Sequence, residues 1–277
     1  MSRSPSPKLR QPSPSTKSQT AAVPTFYVER EFKDKVIVVT GSSSGIGRAI
    51  ALMFAREGGQ VVVIGQEQAQ LAETEALIAA IDGAQKPLVI KGDLTEDAFC
   101  KRVIGDTIDK FKKIDVLVNC AGVAPIIPFS SADYFKQFDR TVAIDLRAAL
   151  VLTHCAQEHL IDSKGSIVNV STDLVFSNLK DPYSGYMVAK AALTRFTQVA
   201  AAELGAMGVR VNEVCPGQVP NTGLKLPASP YGLLSELTIT PEHVARAVLT
   251  LASGRLSRAT TGVSYLVDAG NVQKPTG

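Results

Sequence analysis

VIVVTGSSSGIGRAIA, residues 36–51, decides the fold. It opens with a β-branched run, Val36–Thr40, too short for a helix and apolar over its first four residues. Such a run suits a parallel strand buried on both faces. Three glycines follow, Gly41, Gly45 and Gly47, spaced G-x-x-x-G-x-G. An amphipathic pattern then starts and predicts a helix over 46–57. A glycine-rich turn between strand and helix lets the backbone approach a pyrophosphate at the helix N-terminus. That context gives the glycines their weight, since a glycine-rich loop alone means little.

The same rhythm continues along the chain. Strands are expected at Val36–Thr40, Gln60–Ile64, Leu88–Lys91, Asp115–Asn119, Ser166–Ser171, Val209–Cys215 and Ser264–Val267. Helices are expected over about 46–57, 67–81, 96–112, 131–160, 183–206 and 241–253. Alternation of this kind predicts an α/β fold: a doubly wound, seven-stranded, mainly parallel sheet with helices on both faces. Ligands then bind at the carboxyl ends of the strands, near the reversal of strand order.

The chain has 277 residues, 45% of them hydrophobic, with a formal net charge of +3. That length and composition suffice for one large domain. The charge is too small to imply a nucleic-acid partner. Cys100, Cys120, Cys155 and Cys215 are far apart and read as reduced thiols, consistent with a cytoplasmic location. His154, His159 and His243 lack neighbours at metal-ligand spacing, so no metal site is expected. No apolar run approaches the ~20 residues of a membrane span. Residues 1–32 are expected to form a disordered Ser/Pro-rich basic tail, and 33–277 a single domain. The tail lacks the apolar core of a secretory signal, and its prolines oppose the helix of an organelle transit peptide. Ser4, Ser6 and Ser13 each precede a proline and are candidate phosphorylation sites.

Three further stretches sit at strand ends. GDL (92–94) offers Asp93 to an adenine amino group. NCAG (119–122) offers Asn119 and Gly122 beneath the adenosine ribose. YSGYMVAK (183–190) places Tyr186 four residues before Lys190, on one helix face. Tyr183 lies two turns from Lys190, about 10 Å along the axis. A cation beside a phenol favours its ionised form, giving a proton donor or acceptor nearer neutral pH. Tyr183 reads as a packing residue.

TGSSSGIG, NCAG, YMVAK and CPG, in this order and spacing, resemble the short-chain dehydrogenase/reductase family in its common single-domain, Rossmann-like form. The resemblance covers about residues 33–270, including VRVNEVCPG (209–217) and TGVSYLVDAG (261–270). It implies Tyr186 as general acid/base and Lys190 as its partner, lowering the phenol's pKa and holding the nicotinamide ribose. It implies a substrate-orienting hydroxyl after the fifth strand. Here the usual serine pair reads Ser171-Thr172, so the role falls on Thr172, with Ser171 kept as a candidate. Asp145, in AIDLRA, stands where the family has an asparagine whose main-chain carbonyl serves a proton-relay water. A carboxylate there also favours the ammonium form of Lys190.

The resemblance further implies cofactor contacts from Gly41, Ser42, Ser44, Gly45, Ile46, Gly47, Gln66, Asp93, Leu94, Asn119, Ala121, Gly122, Tyr186, Lys190, Pro216, Gly217, Val219 and Thr222. The second strand ends VVVIGQEQ. Gly65 stands where NAD users carry Asp, and Gln66 where many NADP users carry Arg. The absent carboxylate, with Ser42, Ser44 and Gln66 nearby, leans to NADP over NAD, although Glu67 is close. The stretch after Gly217 resembles a substrate lid. Its Leu224, Leu226, Tyr231, Leu233 and Leu234 suit a hydrophobic carbonyl or secondary alcohol, or equally the packing of the lid or an oligomer interface. The implied reaction is hydride transfer between nicotinamide and that substrate, in a homodimer or homotetramer. The alternative is a catalytically idle nucleotide-binding or interaction protein.

Overall fold

The computed structural model describes residues 30–176, 183–220, 222, 234 and 237–273. Seven strands are present among them: β1 (Val36–Val39), β2 (Gln60–Gly65), β3 (Leu88–Lys91), β4 (Val116–Asn119), β5 (Ser166–Val170), β6 (Arg210–Pro216) and β7 (Ser264–Val267). The helices are α1 (Gly45–Arg56), α2 (Gln68–Ala79), α3 (Asp97–Phe111), α4 (Tyr134–Val142), α5 (Ala148–Ser163), α6 (Ser184–Gly205) and α7 (Pro241–Ala252). The strands pair in the order β3-β2-β1-β4-β5-β6-β7, every pair parallel.

The apolar runs explain this sheet. In β1, Val36 and Val38 face a layer that includes Phe99 of α3, Leu152 of α5 and Leu204 of α6. Ile37 and Val39 face Ile50 and Phe54 of α1, Leu71 of α2 and Val248 of α7. All four strand residues are fully buried, as a strand covered on both faces requires.

The chain winds outward from β1 through β2 to β3, then returns to pair β4 against β1. The strand order reverses there, and a crevice opens above the carboxyl ends of β1 and β4. The loops after these strands meet in it. Gly41 has φ 67°, and a Cβ on it would lie 2.8 Å from the Ala121 Cα. Glycine is required on both counts. Thr40 ties the loops together, its Oγ1 accepting the amides of Cys120 (2.9 Å) and Ala121 (3.0 Å).

Two features differ from the sequence expectation. The single helix expected over 131–160 is interrupted by a π-helical turn, Ala143–Arg147, between α4 and α5. One extra residue per turn changes direction locally without altering the apolar pattern, so periodicity cannot show it. The folded body also begins earlier than residue 33. Phe32 is buried and packs edge-on against Phe54, and Glu31 accepts the Ser253 hydroxyl at 2.8 Å. Ser4, Ser6 and Ser13, with lid residues Leu224, Leu226, Tyr231 and Leu233, lie outside the described residues. Leu234 is exposed, and its amide donates to the Ala269 carbonyl at 3.0 Å. Among the described residues no helix is long and apolar enough to cross a membrane.

Candidate active site

A cleft of about 350 Å³ follows the carboxyl ends of the strands from Gly65 and Gln66 to Tyr186 and Lys190. At its nucleotide end α1 begins with Gly45. Its N-cap, Ser44, makes no side-chain capping bond, and the first turn carries no acid. The first-turn amides therefore have neither a side-chain partner nor a compensating charge, and Gly45, Ile46 and Gly47 all border the cleft. An uncapped helix N-terminus facing an open cleft favours an anion such as a phosphate. A Cβ on Gly47 would overlap the Gly41 carbonyl, so this approach is closed to any side chain. Arg48 supports the loop from behind, its Nε donating to the Ser43 carbonyl at 3.1 Å while Nη2 pairs with Glu73 at 2.8 Å.

Of the residues expected to meet a cofactor, Gly41, Ser44, Gly45, Ile46, Gly47, Gln66, Leu94, Ala121, Gly122, Tyr186, Lys190, Pro216, Gly217, Val219 and Thr222 border the cleft. Ser42, Asp93 and Asn119 do not line it, and the side chains of Ser42 and Asn119 are engaged within the protein. Ser42 is buried; its hydroxyl donates to the Val39 carbonyl (2.7 Å) and accepts the Ile64 amide (2.8 Å). The three-serine run cannot show which hydroxyl turns inward, and Ser43 borders the cleft instead. Asn119 is buried and donates across the sheet to the Asn169 Oδ1 at 2.9 Å, clamping β4 to β5. Asp93 flanks the cleft beyond Gly92 and Leu94, and its Oδ1 accepts the Thr95 amide at 2.9 Å. Partial burial works against its charge, but Thr95, Arg140 and Gln66 together hold its carboxyl below the usual value. Cys120, Arg140 and Ile144 also border the cleft and were not anticipated. Burial pushes the Cys120 thiol up to about 12. Arg140 belongs to α4, whose approach to the β3 end has no sequence signal.

At the other end, α6 presents Tyr186 and Lys190 one turn apart. The Lys190 ammonium lies 5.8 Å from the centre of the Tyr186 ring. It donates to the Val170 carbonyl at 2.8 Å. It also stands 3.2 Å from Asp145 Oδ1, a charge contact whose alignment falls short of a hydrogen bond. The π turn brings Asp145 inward. The other oxygen of its carboxylate accepts the Val123 amide at 2.9 Å, and Gly122 leaves room for it. Asp145 and Lys190 are 1% and 3% exposed. Burial pushes the Asp145 carboxyl up, and Lys190 and the Val123 amide oppose this.

The Tyr186 phenol departs from expectation. Burial, then the negative field of Asp145, pushes it above the ordinary phenol value. A bond to the Thr172 side chain opposes the shift, while Asp173 and Cys120 add to it. The net shift is upward, opposite to the lowering expected from Lys190.

The two candidate hydroxyls separate. Thr172 meets Tyr186 at the cleft, and its Oγ1 also accepts the Leu174 amide at 3.3 Å. Ser171 turns toward α6, where its hydroxyl donates to the Lys190 carbonyl at 3.4 Å and lies 3.3 Å from Thr194 Oγ1. Tyr183 packs with Leu174 and Tyr186. Replacing Thr172 with valine is expected to lower turnover about 10²–10³-fold, the cost of one donor to a developing oxyanion. Ser171→Ala should stay within about fivefold, since only a modest structural bond is lost. Steady-state rates of the two variants check this.

The residues fit a nicotinamide dinucleotide: an anion-seeking helix terminus, a glycine floor without side chains, and a Tyr-Lys-Thr cluster at the opposite end. Comparison with known proteins agrees. A family model described as enoyl-(acyl carrier protein) reductase matches residues 41–271. (+)-Borneol dehydrogenase 2 of Salvia officinalis is 32% identical over 256 residues, covering 85% of this chain and 88% of that protein. The crystal structure of a short-chain dehydrogenase/reductase of unknown function from Caenorhabditis elegans, with cofactor, superposes with a TM-score of 0.79. It is 32% identical, with 88% of this chain and 97% of that one covered. An NADH-dependent reductase complexed with NAD superposes with a TM-score of 0.76 at 25% identity, covering 87% and 98%. The chain belongs to the short-chain dehydrogenase/reductase family of oxidoreductases.

Proposed function

We propose that this oxidoreductase interconverts a carbonyl and a secondary alcohol on a small hydrophobic substrate, using NADP in preference to NAD. The observation that carries the reading is the meeting of Tyr186, Thr172 and Lys190 at one end of a cleft whose other end is an uncapped helix N-terminus. Bound nicotinamide supplies the hydride chemistry. The chain supplies the rest. Tyr186 moves the proton at the substrate oxygen, Thr172 donates to the same oxygen, and Lys190 holds the ribose hydroxyls beside them.

The cofactor preference rests on the end of β2. No carboxylate stands at position 65, and a Cβ there would lie 2.8 Å from the Ser43 Cβ. An aspartate facing the ribose would therefore displace Ser43. Ser43, Ser44 and Gln66 surround this end with hydrogen-bonding groups that suit a 2′-phosphate. The substrate class rests on Val123 and Ala124 at the cleft, with exposed Ile126 beyond them, and on a relative named for borneol, an apolar secondary alcohol. Val188 and Val199, exposed on α6, suit a homodimer or homotetramer face.

Titration of the purified protein with NADPH and NADH, read by nicotinamide fluorescence, tests the reading. NADPH is expected to bind about tenfold tighter, equal to about 1.4 kcal/mol. Preference for NADH would reverse the cofactor assignment. Binding of neither by folded protein would overturn the enzyme reading.

A further inference from the structure

Asp145 deepens the reading just given and rests on it. Its carboxylate reaches Lys190 at 3.2 Å from the π turn, and no exposed route dilutes the contact, because both groups are buried. The buried pair carries no net charge wherever its shared proton sits. If lysine keeps the proton, the pair is ammonium and carboxylate; if it moves, the pair is amine and acid. Tyr186 therefore faces a neutral pair and not a free cation.

We propose that Asp145 is a positioning residue that cancels the charge of Lys190 at Tyr186 and so sets this site for carbonyl reduction over alcohol oxidation at neutral pH. Reduction uses the protonated phenol. The Tyr186 O–H bond breaks and its proton passes to the substrate oxygen as the carbonyl carbon accepts a hydride from reduced nicotinamide. With nicotinamide bound, the hydride pair would form the new C–H bond and leave the nicotinamide oxidised, the C=O π pair would move to oxygen and form the new O–H bond with the Tyr186 proton, and Tyr186 would be left as phenolate, to be reprotonated from solvent. Oxidation needs the phenolate first, which the Thr172 bond favours but burial and Asp145 oppose.

The groups around the phenol agree. Lys190 approaches from α6 and Asp145 from the π turn. Asp173, on the turn after β5, bonds Thr172 at 3.4 Å and the Asn271 side chain at 2.9 Å. Cys120 stands at the end of β4. On the far side of Lys190, Glu213 of β6 is wholly buried, accepts the Ser264 hydroxyl at 2.6 Å, and is pushed toward its neutral form by burial. Asp173 and Cys120 add to the negative field at Tyr186, and the Thr172 side chain opposes it. Burial and Asp145 push its phenol up.

The test is a tyrosinate titration of the full chain by near-ultraviolet absorbance, taken as the difference between wild type and Tyr186→Phe. The wild-type phenol is expected to titrate above its ordinary value of about 10. In Asp145→Asn it should titrate about one to three units lower than in wild type, as an uncompensated neighbouring cation requires. The oxidation profile of kcat/KM should move by the same amount, rising about tenfold per pH unit below its inflection. A wild-type phenol titrating below the ordinary value overturns the proposal even if Asp145→Asn does not fold. An unmoved or raised inflection in Asp145→Asn overturns it too. The absorbance readout needs no substrate or cofactor. It therefore fails independently of the enzyme reading, which falls only if no nicotinamide nucleotide binds or if Tyr186→Phe turns over normally.

Discussion

Tyr186→Phe is expected to lower turnover about 10²–10⁴-fold, the range for losing a positioned general acid. NADPH affinity should stay within about fivefold, because one hydroxyl contact at most is removed. The ring is buried against Leu174 and Tyr183, and phenylalanine keeps that packing. Removing the hydroxyl deletes one bond to Thr172 and exposes no charge. The variant should therefore fold and bind, with the loss appearing in kcat. Single-turnover rates beside a fluorescence titration separate the two quantities. Unchanged turnover would remove Tyr186 from the proton-transfer role, whereas NADPH binding without any turnover in the wild type would assign the chain to the idle, nucleotide-binding class.

Lys190→Met should lose both activity and stability. Methionine fills similar volume but leaves the Asp145 carboxylate buried without its partner. Breaking a buried pair in this way costs about 3–5 kcal/mol. The loss should depend on pH with a definite sign. Without the ammonium, the Asp145 carboxyl, already raised by burial, rises further in the folded state. The folded form then binds a proton that the unfolded form has released, so stability falls as pH increases. The variant should be closest to wild type near the ordinary aspartate value of about 4 and progressively weaker above it. The double variant Lys190→Met/Asp145→Asn should recover most of the stability and lose this pH slope, yet remain inactive. Urea unfolding across pH, beside activity, checks each point. A single variant as stable as wild type at high pH would contradict the ion-pair account.

The strand–glycine–helix unit at 36–51 was legible because each part obeys a local rule. A β-branched apolar run, three glycines and the start of an amphipathic pattern are visible in order along the chain, and the structure buries the run and leaves no room for a Cβ on Gly41 or Gly47. Strands β3 and β7 occur at the residues expected, and the rest within one residue at each end. Tyr186 and Lys190 were legible for the same reason, because one helical turn is a local distance. Side-chain direction within a loop was not. Ser42, Ser43 and Ser44 are chemically identical, and only the β2 backbone above Ser42 decides that its hydroxyl turns inward.

By itself the sequence determined the order of elements, the parallel sheet, the glycine loop between β1 and α1, and the placing of Tyr186 and Lys190 one helical turn apart. Each depends on periodicity or on near neighbours in the chain. The tertiary structure alone decided how close the charges of Asp145 and Lys190 lie and how deeply they are buried. Asp145 lies 45 residues before Lys190, and a single π turn, invisible in the apolar pattern, brings its carboxylate to 3.2 Å. Burial then makes that contact dominate, because charges removed from water interact strongly over short distances and are little screened. The tyrosine–lysine spacing names the pair, and the packing around it sets the charges beside the phenol.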